Sequence, residues 1–244
     1  MKTRLSIVVP FLMLACTAPL AAQTDSLGSF DEGESDFKVV LGVAGGLSLV
    51  NPGTLNDEIG FLNNSLDAGV EKIQTMTQFA AFMRIKPRMA PYMLVRVEAV
   101  TVSRSFDYSA VGRSAGNSST GRFNVSSSTR WTVYPLVLGV GTTIPKTPLD
   151  AEVGLIYAIG ETTETGSIAG GSEYTNTSSG SAFGLEGRIS PHFRLSRNVN
   201  LALELSYRSL TVKHYSDSYG RDLTNFGLDL TGVAAGIGVS YTFD

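Results

Sequence analysis

Residues 199–208 read VNLALELSYR, and apolar side chains occupy every second position of this stretch. A period of two indicates a β-strand, because successive side chains of a strand point to opposite faces of the sheet. The positions between the apolar ones include two charged residues, Glu204 and Arg208. The same alternation recurs eight times between Phe37 and the C-terminus. We therefore predict an all-β protein with eight strands.

The connections between these predicted strands are of two kinds. Short reversals, KPRMAP, PKTPLD and RLSRN, follow the second, fourth and sixth strands. The connections after odd-numbered strands are longer and rich in Asn, Ser, Gly and Thr, as at 109–124 and 163–180. This asymmetry predicts an antiparallel up-and-down meander with both termini at the short-turn end. Closure into a barrel would pair the two long edges, so we expect an eight-stranded barrel.

The two faces of the strands differ in a way that indicates which one is outside. The polar face consists mostly of Gly, Ala and Ser with a few charges, which suits the narrow interior of an eight-stranded barrel better than a surface in water. The apolar face would then contact lipid, and strands of about ten residues match a tilted crossing of a bilayer. We therefore predict a transmembrane β-barrel. A soluble lipocalin-like barrel and a periplasmic β-sandwich are the alternatives.

The charged residues of the polar face are nearly balanced in sign. Because buried charges must be paired, a small balanced set is what a closed lumen can hold. We predict a lumen charge network formed by Arg84, Arg96, Glu98, Glu152, Glu186, Arg188, Glu204 and Arg208.

The N-terminal segment has the features of a secretory signal. Lys2 and Arg4 precede an apolar run of about the expected length, and small residues near Ala22 offer a cleavage site. We predict a signal peptide at 1–22, a flexible polar leader at 23–36 and the barrel at 37–244. Cys16, the only cysteine, lies inside the signal. Lipidation of Cys16 is the alternative to cleavage near Ala22.

Composition narrows the classes of partner. Charged residues make up only 17% of the chain, and the net charge of −3 becomes −5 once Lys2 and Arg4 are removed with the signal. An acidic chain argues against nucleic-acid binding, which requires clustered basic residues. With two His and no cysteine outside the signal, we predict no metal site and no cofactor.

The last strand carries a family resemblance. Gly238, Tyr241 and Phe243 fall in GVSYTF, which resembles the C-terminal signal of small outer-membrane barrels of Gram-negative bacteria, the OmpA/OmpX type. Gly236 and Asp244 depart from the usual pattern. The resemblance implies an outer-membrane location and recognition by the barrel-assembly machinery. It also implies a monomer that contacts outer-membrane lipid and lipopolysaccharide.

A second resemblance concerns the segment after residue 213, which contains HYSDS and then NFGLD. It is similar to the His-x-Ser motif of outer-membrane lipid A deacylases, which are barrels of comparable shape. That resemblance implies His214 as base, Ser216 as nucleophile and Asp229 as orienting acid. Phe226 stands where the family has Pro, and Asp217 where it has Asn.

The first long connection contains a helical pattern. Thr54 is a plausible N-cap, and Leu55, Ile59, Leu62 and Leu66 follow at helical spacing. This predicts a short amphipathic helix in the first surface loop, lying on the membrane, capping the barrel or facing a partner.

Together these features favour a barrel with a plugged lumen and a structural or surface-interaction role through its extracellular loops. A lipid A deacylase-like esterase and a small pore or carrier of apolar ligands are the alternative functions.

Overall fold

The computed structural model describes residues 37–50, 52–66, 69–87, 91–113, 120–168, 173–217 and 222–243. The predicted signal peptide, the leader and Asp244 lie outside these ranges. No helix in the described part of the chain is long and apolar enough to cross a membrane. The elements are β1 (Phe37–Val50), α1 (Gly53–Leu66), β2 (Thr75–Pro87), β3 (Tyr92–Arg113), β4 (Thr120–Thr143), β5 (Leu149–Ile168), β6 (Tyr174–Arg194), β7 (Val199–Asp217), β8 (Asp222–Asp229) and β9 (Gly232–Phe243).

The strands form a closed ring. Neighbours in the chain pair antiparallel from β1 to β7, and β9 pairs with both β7 and β1. Val39 lies opposite Phe243, and Val50 lies opposite Gly232. The segments β8 and β9 both pair with β7, so together they make one strand interrupted at residues 230–231. The predicted eight-stranded up-and-down barrel is therefore confirmed.

The outside of the ring is apolar over a band of limited height. Large apolar side chains point outward from the strands of the ring, and Phe183 is 81% exposed. On five strands the outward apolar run ends at a hydroxyl residue, and these residues are Thr77, Thr101, Thr132, Ser181 and Ser209. The aromatic residues two positions before or after four of them are Phe79, Tyr134, Phe183 and Tyr207. Tyr241 and Phe243 lie near the opposite edge of the band, with ring centroids 4.7 Å apart.

An apolar band edged by aromatic residues is the lipid-facing surface of an outer-membrane-type barrel. In such barrels the short turns face the periplasm and the longer connections face outward. The ends of this barrel are named accordingly: the periplasmic end carries the turns at 144–148 and 195–198, and the extracellular end carries α1.

The barrel strands extend well beyond the extracellular edge of the lipid-facing band. The β3–β4 ladder continues to the pair Arg113–Thr120, and the β5–β6 ladder continues to Gly166–Tyr174. The prediction of long irregular connections at 109–124 and 163–180 is therefore wrong over most of their length. These segments are mostly polar in sequence, so they lack the apolar alternation that marks a membrane-crossing strand.

The structure also fixes the orientation of the fourth strand, which alternation left open because both of its faces are apolar. Trp131, Val133 and Val137 point into the lumen and are buried. Tyr134 and Leu138 point outward and are exposed. Both faces are apolar because β4 contacts lipid on one side and an apolar part of the lumen on the other.

A charge placed on the lipid-facing band tests this membrane topology. We expect Leu205→Arg to lower the free energy of unfolding by about 2–4 kcal/mol, because the guanidinium group would lie within the hydrocarbon layer. Ser209→Arg, beyond the band on the same strand, should change it by less than about 1 kcal/mol. Urea unfolding of the barrel in phosphatidylcholine vesicles measures both. Equal effects of the two substitutions would contradict the assignment of the band.

Candidate functional site

The inward faces of five strands bring the eight predicted lumen charges together. Each of these side chains is at most 6% exposed. They lie on β2, β3, β5, β6 and β7 at alternate positions, which is why a period of two turns all of them to the same side of the wall. They line the lumen within the lipid-facing band, from Arg84 towards its periplasmic edge to Arg208, which neighbours Ser209 at its extracellular edge.

Glu98 is the centre of this network. Its Oε1 accepts hydrogen bonds from Arg96 Nε at 2.5 Å and from Arg188 Nη2 at 3.1 Å. Its Oε2 accepts one from Arg208 Nη2 at 2.6 Å. Gln78 Nε2 donates a further bond to Oε1 at 3.2 Å. Three guanidinium groups from three strands therefore share one carboxylate.

The other carboxylates complete the pairing. Arg96 binds Glu204 through both terminal nitrogens, at 3.1 and 2.7 Å. Arg208 Nη2 lies 3.0 Å from Glu186, which also pairs with Arg188.

Glu152 links this centre to the periplasmic side. It accepts from Arg84 Nε at 2.7 Å and from the Tyr92 hydroxyl at 2.9 Å, and it lies 3.4 Å from Arg188. Four positive charges face four negative ones in a space closed to solvent, so the interior charge is balanced.

A further pair at the periplasmic mouth was missed by the sequence analysis. Lys86 Nζ lies 3.0 Å from Asp150, which also accepts a bond from the Thr143 hydroxyl at 2.6 Å. The Lys86 ammonium group lies 4.5 Å from the centre of the Tyr92 ring. Asp150 is the second residue of β5, directly after a short turn. Its position in the sequence alone therefore did not distinguish it from an ordinary turn residue.

Towards its extracellular end the lumen is lined mainly by apolar side chains. Its upper end is covered by α1, whose Leu55 and Ile59 are 2% and 0% exposed. The predicted helix in the first surface connection is therefore confirmed, and it caps the barrel. The side chains of Thr54, Leu62 and Leu66 lie outside the described set. The apolar cluster consists of Val50, Leu55, Ile59, Val70, Ile73, Met76, Val100, Phe106, Trp131, Val133, Val137, Ile156, Ala158, Leu210, Val212, Tyr215, Leu228 and Leu230.

Two asparagines fix α1 to the chain that follows it. Asn56 donates to the carbonyl of Ile73 at 2.9 Å and accepts from its N–H at 2.7 Å. Asn63, two turns later, makes the same pair of bonds with Val70, both at 2.7 Å. Each amide side chain pairs with a backbone N–H and C=O as a neighbouring strand would. The segment 70–73 after the helix is therefore held alongside α1.

The residues of the deacylase-like motif are not assembled as a triad. Ser216 lies opposite Asp222 on β8, whereas Asp229 lies opposite Thr211. Five residues of β7 separate these positions, about 16 Å at roughly 3.3 Å per residue. The Asp229 carboxylate accepts bonds from the Thr211 hydroxyl at 3.1 Å and from the Thr231 N–H at 2.9 Å. The side chain of His214 lies outside the described set.

The remaining predicted positions can also be located. Gly238, Tyr241 and Phe243 lie on β9, the strand that closes the ring, and both aromatic side chains face outward. Within the described residues, no three His, Cys, Asp or Glu side chains come together as metal ligands.

Among known proteins, only solved structures match this chain. No family model and no curated protein matches the sequence. Ail, the attachment invasion locus protein of Yersinia pestis, shares 11% identity over 86% of this chain and 100% of its own, with a TM-score of 0.40. Neisserial surface protein A shares 15% over 87% and 100%, with a TM-score of 0.32. The outer membrane protease OmpT from Escherichia coli shares 8% over 85% and 95%, with a TM-score of 0.39.

The closed ring of eight strands and its lipid-facing band, rather than these distant likenesses, place the protein in the bacterial outer membrane.

Removal of the central carboxylate tests the network. We expect Glu98→Gln to lower the free energy of unfolding by about 3–5 kcal/mol, because three buried guanidinium groups lose their shared partner. Glu161→Gln, at the outer edge of the band on β5, should change it by less than about 0.5 kcal/mol. Urea unfolding in vesicles, followed by the fluorescence of Trp131, gives both values. A loss below 1 kcal/mol for Glu98→Gln would show that the network contributes little.

Proposed function

We propose that this protein is an outer-membrane barrel closed to the passage of solutes, whose role is carried by its extracellular surface. The observation behind this proposal is the division of the lumen into two fillings, one charged and one apolar. The charged filling lies within the lipid-facing band, and the apolar filling begins beside it and continues beyond the band to α1.

The charged filling resists opening because its partners come from distant strands. Any ion that passed Glu98 would have to separate it from Arg96, Arg188 and Arg208, and separating a buried pair is costly. A void of about 10 Å³ lies beside this network, lined by Gln78, Arg96, Glu204 and small residues of β1 and β9. That is the volume of a single water position.

The apolar filling is a second barrier of a different kind. Leu55 and Ile59 place the buried side of α1 on the cluster that includes Trp131 and Leu228. A hydrated ion meets only a few polar groups there, too few to replace its water shell. With both fillings in place, the surface that remains for interaction is the extracellular extension of β3 to β8 together with α1.

The extension also sets the expected partners. Its strands stand above the lipid-facing band, where lipopolysaccharide head groups and external molecules lie, so these are the contacts we propose. We further propose that the barrel acts as a single copy and is inserted by the barrel-assembly machinery through its β9 strand.

Planar-bilayer recording tests the two fillings separately. We expect no stable conductance from the wild type, from the charge-balanced double variant Glu98→Ala with Arg208→Ala, or from a variant in which Asn-Gly replaces residues 51–73. The combination of both changes should conduct, because each filling alone closes the lumen. Large, stable conductance from the wild type would refute the closed lumen.

Shortening the surface hairpins tests the location of the role. In one variant Asn-Gly replaces 108–125, which joins the paired residues Asp107 and Ser126. In a matched variant Asn-Gly replaces 165–175, which joins Glu164 and Asn176. We expect the free energy of unfolding to change by less than about 1 kcal/mol in either, since neither touches the lumen fillings.

Cells that express the wild type should gain autoaggregation or adhesion to polystyrene relative to empty-vector cells, and at least one shortened variant should lose that gain. Wild-type behaviour in both shortened variants would place the role elsewhere.

A further inference from the structure

Over the described residues, the strands leave the barrel wall incomplete at its extracellular end. The β2–β3 ladder stops at the pair Thr77–Thr101, whereas β3 continues to Arg113. On the other side, β8 pairs with β7 and, within the described residues, with no second strand. Between β3 and β8 the wall is closed by α1, which contacts both strands. A window in the wall, covered by one helix, therefore stands at the outer edge of the lipid-facing band.

The wall beneath α1 carries a small polar spot in an apolar surface. Trp131 and Thr162 lie directly opposite each other on β4 and β5, and they are 3% and 9% exposed. The indole Nε1 and the Thr162 Oγ1 have no hydrogen-bond partner among the described residues. The Tyr215 hydroxyl lies over Gly160, where a Cβ would be 2.3 Å from its oxygen. Gly160 is two residues from Thr162, on the same face of β5.

Buried donors without partners are unusual. An unpaired N–H in an apolar setting costs about 1–3 kcal/mol, which a hydrogen bond to a ligand oxygen would offset. An apolar wall with a few convergent polar groups is the usual composition of a small-molecule site. The indole N–H can only donate, and a hydroxyl can donate as well. The spot therefore suits an acceptor oxygen.

The charged groups near the spot are balanced. Arg104 lies one layer further out on β3, where it pairs with Thr129, and its Nη1 donates to the Ser103 carbonyl at 3.2 Å. Glu164, opposite Thr129 on the other side, accepts from the Ser127 and Tyr174 hydroxyls at 3.2 and 3.0 Å. A head group with an acceptor oxygen can thus be a carboxylate or a neutral ester.

We propose that the wall beneath α1 is a binding site for a long acyl chain whose head oxygen bonds to Trp131 and Thr162. Leu55 and Ile59 of α1 belong to the same buried cluster as Trp131, and the acyl chain would take their place. The ligand replaces them when α1 lifts, and the chain arrives sideways through the window from the outer leaflet. The proposal does not depend on the closed lumen, because the charge network lies below this site.

The only tryptophan of the chain is at the site, which supplies a direct probe. The wild-type barrel in phosphatidylcholine vesicles is titrated with dibromostearate, whose bromines quench a nearby indole. The same vesicles with brominated phosphatidylcholine give the quenching due to the bilayer alone. Dibromostearate methyl ester and a dibrominated alkane of equal length test the head group.

Two comparisons between matched proteins test which residues form the site. Ile59→Ser removes a buried contact of α1, and Phe61→Ser changes a side chain on the same helix that is 68% exposed. Thr162→Val keeps the shape of the wall and removes its hydroxyl, with the wild type as its reference.

We expect saturable quenching of the wild type by the acid or the ester beyond that of the brominated bilayer. The apparent Kd should fall about tenfold in Ile59→Ser, because the open state of α1 becomes more populated, and stay unchanged in Phe61→Ser. Thr162→Val should raise it about fivefold, and the alkane should bind about tenfold more weakly than the better of the two oxygen-bearing probes.

Quenching that does not saturate in the wild type, or that equals the brominated bilayer, would overturn the site. Equal binding of the alkane would overturn the role of the polar spot. Conductance in bilayers is a separate measurement, so failure of this site and failure of the closed lumen are distinguishable.

Discussion

The closure of the ring between β1 and β9 is the constraint on which the rest of the structure depends. In hydrocarbon every backbone N–H and C=O needs a partner within the protein, so an open sheet edge is excluded. Residues 39–50 pair continuously with residues 232–243, which removes the last edge within the membrane. Closure with eight strands then leaves a lumen that side chains fill. The closed ring therefore determines that the lumen is filled by side chains.

Within the membrane, much of that filling can be charged, because the backbone hydrogen bonds and the outward apolar side chains already stabilise the wall. Backbone bonds in lipid have no competing water, and the apolar side chains already face outward. The interior positions are left to groups that pair with each other. Arg96 and Glu204 are 108 residues apart in the chain, yet their bidentate contact ties β3 to β7 across the lumen. Such a contact adds a requirement for register that a lumen of Gly, Ala and Ser alone would lack.

The strands and the direction of their side chains could be predicted from the sequence. The contacts across the barrel could not, because they depend on non-local geometry. A period of two predicted that Glu98 and Arg208 face the lumen, and the structure places them there. It could not show that Glu98 is shared by three arginines, since strand tilt decides which residues meet across a barrel. The apolar part of the lumen was missed because Val133 and Val137 lie on a strand with two apolar faces. Ladders at 109–113 and 120–124 were missed because these segments are mostly polar in sequence.

The apolar filling begins inside the band, at Val137 and Ile156 of β4 and β5, and continues beyond its outer edge. Above Thr101 the sheet leaves the lipid, loses β1 and β2, and becomes an open arc from β3 to β8 in water. Water competes there for every backbone bond, and burial of apolar surface becomes the main driving force for holding the arc together. The cluster around Trp131 and Val212 supplies that burial, and α1 supplies the missing side. The outer part of the apolar filling is thus the core of a small water-exposed sheet that continues the membrane barrel. Because one helix completes that core, its displacement would open the wall without disturbing the ring below.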